Sequence, residues 1–298
     1  MARLVGSSMK RPGPRVLRLA VVAILATAVL AAAASAAEPR PWQLGMQPPA
    51  TPVNEQLSAF HDELLVIIFL ISGFVMALLL YVVVRFNHRR NPVPSRTTHN
   101  TWIEILWTVI PILILITIAT RSFKLMYYMA EIPKPDLTIA VTGHQWYWTY
   151  SYPDQSGLTF DSNVITDADL KPGQKRLLDV DNPLVVPTGE NVEVRVTSTD
   201  VIHSWFLPSF GVQEYAIIGR NNESWFNIRH PGTYYGGCNQ ICGVNHGFMP
   251  IKVVAMSKDD FRHWLVDAKK KFGWNGGAAP VRVAAAIAGA AGPAAAGN

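Results

Sequence analysis

"YYGGCNQICGVNHGFMP", residues 234–250, contains both cysteines of the 298-residue chain, and a histidine and a methionine follow the second within seven positions. Two thiols four residues apart in a Gly- and Asn-rich loop admit three readings: a disulfide, a zinc site, or a site for a softer metal. The compartment in which the loop lies separates them, and the rest of the chain supplies it.

The formal net charge of +5 first hints at nucleic acid. Arg3, Lys10, Arg11, Arg15 and Arg18 carry five positive charges with no acid before Glu38. They precede "LAVVAILATAVLAAAASAA", an apolar run ending in small residues. A basic start, an apolar core and an A-x-A-like end predict a secretory signal peptide over residues 1–37. Cleavage near Ala36 or Ala37 cancels the whole excess, so the mature chain is neutral and no basic patch for nucleic acid is expected. An uncleaved anchor helix is the alternative reading of the same stretch.

Leu64–Val84 is 21 residues without a charge, enough to cross a hydrocarbon core of ~30 Å. Ile105–Thr120 is shorter, at about 24 Å of helix, and is bounded by Glu104 and Arg121. Both boundary residues are therefore expected near a membrane edge. Pro111 lies within this run, and membrane helices tolerate such a proline. The pattern predicts a short N-terminal segment over 38–59 and a transmembrane helix hairpin over 60–127. The connecting "RFNHRRNPVPSRTTHN" carries four arginines and no acid, which places it in the cytoplasm. Both mature ends then face a bacterial periplasm or its equivalent, in agreement with the signal peptide.

Beyond the hairpin the pattern changes to short alternating strands over 132–257. In "ENVEVRVTS", Val192, Val194 and Val196 share one face. "DLTIAVTG", "PLVVP", "ESWFNIRH" and "PIKVVAM" read likewise. Many short strands without a long helix predict a sandwich or Greek-key barrel. "KDDFRHWLVDAKKKF", 258–272, predicts a closing amphipathic helix. The Ala/Gly-rich 273–298 is expected to be disordered.

In an oxidising compartment a Cys238–Cys242 disulfide is the plainest reading, but it leaves His246 and Met249 idle. Zinc wants four N or S ligands, and Met is a poor one. Thiolate, imidazole and thioether together suit copper. A single blue copper would need one cysteine and a histidine from a neighbouring strand, for which His203 in "TDVIHSWFLP" is the natural choice. The second cysteine allows two thiolates to bridge two metals.

"HSWFLPSFGV" followed by "CNQICGVNHGFM" resembles the binuclear copper centre of the cytochrome c oxidase subunit II family. The likeness extends through "WQLGMQ", "HDELLVIIFLIS", "NTWIEILWTVIP" and "GHQWYW" to nearly the whole mature chain. It implies a two-helix hairpin carrying a cupredoxin-like Greek-key barrel. It implies two copper ions bridged by Cys238 and Cys242, with His203, His246, Met249 and the backbone carbonyl of Gln240 completing the ligands.

The same resemblance makes Trp146 the residue that accepts electrons from cytochrome c. Asp161, Asp181 and Asp200 become the carboxylates around that point, although scattered surface acids are commonly just solvated. Alternation along the strand places Trp146 and Trp148 on one face, which also suits ordinary core aromatics. Glu104 matches a glutamate at the cytoplasmic mouth of a proton path; a snorkelling interfacial acid reads the same way. His61, His88, His99, His144, His230 and His263 read as structural or surface residues.

Departures from the family pattern are local. Gln240 replaces a usual glutamate whose carboxylate reaches an interface magnesium, so that ion is in doubt. Gln213, Tyr215 and Ile218 replace Lys, Asp and Pro in "GVQEYAIIGR", and Ser151 replaces a docking glutamate. The resemblance implies an electron-transfer subunit of a haem-copper oxidase in a bacterial inner membrane, with a haem-bearing subunit I, a subunit III and cytochrome c as partners. A copper-containing nitric oxide reductase subunit and a quinol oxidase subunit with a purely structural barrel are the rival readings.

Overall fold

The structure, a computed structural model, describes residues 37–272. The expected signal peptide, up to residue 36, and the expected Ala/Gly-rich tail lie outside the described residues. Ala37, which the sequence reading assigned to the signal segment, is buried and lies in a parallel bridge with Tyr234. Its carbonyl accepts the Tyr235 N–H at 3.2 Å, so it packs with the barrel.

Among the described residues two long helices come first: α1, Pro52–Arg85, and α2, Thr101–Ala130. Their most apolar windows are not buried anywhere within the chain, as expected of faces turned to lipid. Both outrun the apolar runs that announced them. At 34 and 30 residues they reach about 51 and 45 Å, well beyond a hydrocarbon core of ~30 Å. The helical segment therefore spans 52–130, wider than the expected 60–127. Hydropathy marks only the immersed part, whereas capping sets where a helix begins. For α1 the cap is Thr51, whose Oγ1 accepts the Asn54 N–H at 3.1 Å, with Pro52 at the first helical position. Between the helices' upper ends, Arg121 pairs with Glu63 at 3.1 Å.

Ten strands follow: β1 Leu137–His144, β2 Tyr147–Tyr152, β3 Leu158–Ser162, β4 Leu184–Pro187, β5 Val192–Ser198, β6 His203–Leu207, β7 Val212–Ala216, β8 Asn222–Phe226, β9 Gly232–Cys238 and β10 Pro250–Met256. They form two five-stranded sheets, ordered β3-β2-β1-β5-β8 and β4-β10-β9-β6-β7. β1 pairs parallel with β5 and β4 with β10, while the other neighbours are antiparallel. The inward faces bury Ile139, Val141, Tyr150, Val194, Val196, Trp205, Leu207, Phe226 and Val253 between the sheets. α3, Lys258–Lys271, is capped by Ser257 and lays Phe261, Leu265 and Ala268 on the barrel.

The barrel is tied to the hairpin directly. Thr51 Oγ1 donates to the Phe210 carbonyl at 2.6 Å, and Asn54 Nδ2 donates to the Pro208 and Ser209 carbonyls at 3.1 and 2.9 Å. Gly211, at φ +69°, allows this approach, because a Cβ there would lie 3.2 Å from the Asn54 backbone. On the other helix, Trp225 Nε1 donates to the Met129 carbonyl at 3.2 Å.

Candidate metal centre

Three segments bring the expected ligands together. His203 opens β6 and is fully buried; Cys238 ends β9; Cys242, His246 and Met249 lie on the loop running into β10. β6 and β9 are neighbours with Trp205 opposite Cys238, so strand register places the histidine beside the first thiol. Gly143 on β1 leaves room for the imidazole, since a Cβ there would meet His203 Cδ2 at 2.9 Å.

The two Sγ atoms are 3.9 Å apart and both cysteines are free. That separation is well beyond a disulfide bond of about 2.05 Å. Around them, the Gln240 carbonyl lies 3.2 Å from Cys238 Sγ. His246 Nδ1 and Met249 Sδ each lie 3.5 Å from Cys242 Sγ. The nearest ligand atoms of His203, Cys238 and Cys242 all fall within 4.8 Å of one another. The loop is held from behind: Trp148 Nε1 donates to the Met249 carbonyl at 3.2 Å.

The imidazole of His203 is oriented by Asp200, whose Oδ1 is 2.9 Å from Nε2. The other nitrogen, Nδ1, is buried with no hydrogen-bond partner. A buried unpaired polar atom is costly, and here it sits among soft donor atoms. An orphaned nitrogen in that setting is a potential metal donor.

The electrostatics distinguish the two thiols. Burial opposes ionisation of Cys238, but the nearby His203 imidazole and the backbone of Ser204 and Gln240 prevail and draw its pKa down to about 7. Burial, then the neighbouring Cys238 charge, push Cys242 up to about 12. Cys238 is the more acidic thiol, and a nearby cation would stabilise both as thiolates. Burial works against a protonated His203, yet the neighbouring Cys238 and the bond to Asp200 raise its pKa on balance.

Trp146 does not share a strand face with Trp148, contrary to the alternation argument. It occupies the two-residue turn between β1 and β2, whereas Trp148 is fully buried in the core. The turn breaks the period on which the argument rested. From there Trp146 Nε1 donates to the Cys242 carbonyl at 3.2 Å. Gly243, at φ +125°, lets the loop back onto the indole, since a Cβ there would meet Trp146 Cζ2 at 2.9 Å. Gln145, which sequence reasoning passed over, donates Nε2 to the same carbonyl at 2.7 Å.

The three aspartates already accept internal hydrogen bonds. Asp161 takes the Thr149 hydroxyl at 2.6 Å, and Asp181 takes the backbone N–H groups of Asn163 and Asn182 at 2.8 and 2.7 Å. Asp200 additionally accepts the N–H groups of Val201 and Gln145. Glu104 lies far from this cluster, in the first turn of α2, where Oε1 accepts the Asn100 N–H at 3.3 Å.

Residues 137–256 match the family described as cytochrome c oxidase subunit II, periplasmic domain, and residues 39–125 match its transmembrane domain. The chain belongs to the cytochrome c oxidase subunit II family. A probable cytochrome c oxidase subunit 2 from Rickettsia bellii is 49% identical over 256 residues, covering 86% of this chain and 95% of that one. The cytochrome c oxidase subunit 2 of Phytophthora megasperma is 46% identical over 230 residues, covering 76% and 86%. Among solved structures, the periplasmic domain of the Bradyrhizobium japonicum subunit II is 48% identical with a TM-score of 0.45, covering 48% of this chain and 99% of that one. This chain is accordingly an electron-transfer subunit of cytochrome c oxidase, a two-pass membrane protein with a periplasmic cupredoxin-like domain that works beside partner subunits.

Proposed function

We propose that this chain holds two copper ions and relays electrons from a periplasmic cytochrome c to haem in subunit I of an oxidase in a bacterial inner membrane, where oxygen is reduced and protons are translocated. The observation that carries the reading is the donor set. Two thiols 3.9 Å apart are flanked by a buried imidazole with an orphaned Nδ1, a second imidazole, a thioether and a carbonyl. Soft sulfur with imidazole suits copper, and the thioether counts against zinc. When bound, the copper pair supplies a one-electron couple with the charge shared over both metals.

In this reading Cys238 and Cys242 would hold the metals between them through their thiolates, with His203, His246, Met249 and the Gln240 carbonyl as the remaining donors. Strands β6 and β9 carry His203 and Cys238, and the loop between β9 and β10 carries the other donors, an arrangement that limits the rearrangement accompanying electron transfer. Trp146 accepts the incoming electron. Its indole N–H contacts the backbone of Cys242, giving a short through-bond route to a ligand residue. Asp161 and Asp181 contribute to the negative face that docks the basic donor, whereas Asp200 serves chiefly to orient His203. Glu104, at the arginine-rich end of the hairpin, stands at the mouth of a proton path into subunit I; subunit III completes the assembly. Gln240 weakens any magnesium site at the subunit interface. The presence of all six donors argues against a quinol oxidase barrel that is only structural.

Metal analysis and EPR of the purified full-length chain after copper loading test the proposal. Two coppers and a seven-line hyperfine pattern are expected, and Cys238→Ser or Cys242→Ser should abolish that pattern. A single copper with four lines would overturn the binuclear assignment, and one zinc would overturn copper.

A further inference from the structure

Two donors converge on the Cys242 carbonyl: Gln145 Nε2 at 2.7 Å and Trp146 Nε1 at 3.2 Å. Gln145 also donates its backbone N–H to Asp200 Oδ2 at 2.7 Å, and the other oxygen of that carboxylate lies 2.9 Å from His203 Nε2. One exposed turn residue thus bears on two of the three segments that supply the metal donors. Its backbone bears on the histidine side through Asp200, and its side chain bears on the thiol loop.

We propose that Gln145 is a positioning residue of the metal centre, fixing the Cys242 peptide plane and with it the geometry between the Cys242 thiol and the Trp146 indole. The inference rests on the copper reading above. Its physical basis is the joint that follows Cys242. Gly243 sits at φ +125°, a conformation open mainly to glycine, and offers no side chain with which to lock the loop. The space a Cβ would occupy is filled by the clamp itself, with Gln145 Nε2 at 3.1 Å and Trp146 Cζ2 at 2.9 Å. At this joint the amide and the indole add stiffness that Gly243 cannot provide. Gln145 makes the shorter contact of the two. The carbonyl it holds belongs to a thiol-bearing residue, so a donor there also lowers the negative potential felt at the sulfur.

Gln145 is exposed, and a part of the donor-docking face would look the same from outside. The two roles separate experimentally. In the assembled oxidase, Gln145→Leu keeps the size but loses the donor, and Gln145→Glu turns a donor into a charged acceptor. Both leave the backbone bond to Asp200 in place. Unchanged copper content is expected, with a shifted hyperfine splitting and midpoint potential, larger for Gln145→Glu. Electron acceptance at saturating donor should slow about tenfold with KM for the donor unaltered, a cost in keeping with small misplacements at reacting groups. A spectrum and potential that do not move in either variant, or a rise in KM alone, would overturn the proposal and leave Gln145 a docking residue. Fewer than two coppers in the parent chain would overturn the copper reading, and this inference with it.

Discussion

Asp200 Oδ1 stands 2.9 Å from His203 Nε2, and this contact leaves the imidazole's Nδ1 as the nitrogen facing the thiols. The carboxylate fixes both the ring orientation and the tautomer, the usual task of a group behind a metal-binding histidine. Asp200→Ala should therefore lower copper affinity about 10- to 100-fold, read by competition against a copper chelator. Affinity equal to the parent's, with only the cytochrome c KM altered, would return Asp200 to the docking acids.

Trp146→Phe retains an aromatic ring but loses the N–H that reaches the Cys242 carbonyl. Electron acceptance from cytochrome c should slow while the copper spectrum and donor affinity stay close to the parent's. Stopped-flow measurements under conditions where transfer limits turnover make the comparison. Equal rates would make the indole a packing group.

Glu104 caps its own helix through Asn100, at the end of the hairpin away from the barrel. Glu104→Ala should slow proton uptake and steady-state turnover yet leave reduction of the copper site by cytochrome c intact. Turnover unchanged at saturating donor would reduce Glu104 to its capping role.

Gln240 offers its carbonyl toward Cys238 Sγ at 3.2 Å, a contact that any side chain would permit. Magnesium prefers carboxylate and water oxygens, and a neutral amide supplies no compensating charge. Oxidase from cells grown in manganese should show little bound Mn²⁺ by EPR, and Gln240→Glu should raise it without loss of copper. A stoichiometric Mn²⁺ signal in the parent would contradict this.

Asp179 is a stability determinant away from the metal centre. It is buried, bonded to Lys252 and Tyr235, and accepts the Lys175 N–H at 2.6 Å. Burial disfavours its charge, but these bonds, led by Lys252, hold its pKa below the ordinary value. Its contribution is complete above the unfolded value of about 3.9 and is lost as pH falls through the lower folded value. Asp179→Asn should cost about 2 kcal/mol at neutral pH and remove this part of the acid sensitivity. Urea titrations at pH 7 and pH 3 measure both, and parallel loss of stability in parent and variant on acidification would refute the assignment.

The sequence carried the architecture where physical periods were strong. The charge-free Leu64–Val84 run and the valines of β5 announced a membrane helix and a strand in the places they occupy. The convergence of Cys238, Cys242, His246 and Met249 was legible because their spacing is local. Three things were not legible. Helix ends depended on Thr51, whose hydroxyl bonds a carbonyl 159 residues away. The Trp146 position depended on a turn that interrupts alternation. Gln145 carries no chemical signature of its own, and its meaning comes from a carbonyl 97 residues distant.

The bonds from Thr51 and Asn54 to Pro208–Phe210 join the first membrane helix to the connection that follows β6, the strand that opens with His203. A mobile redox carrier shuttles, and its rate is set by how often a tether brings it within range. Here the barrel is hydrogen-bonded to its own membrane hairpin, so the height of the thiols above the bilayer is restrained. Electron tunnelling falls steeply with separation, and a restrained height lets the partner subunit be placed once, by assembly. In the proposed relay, turnover then needs no swinging domain.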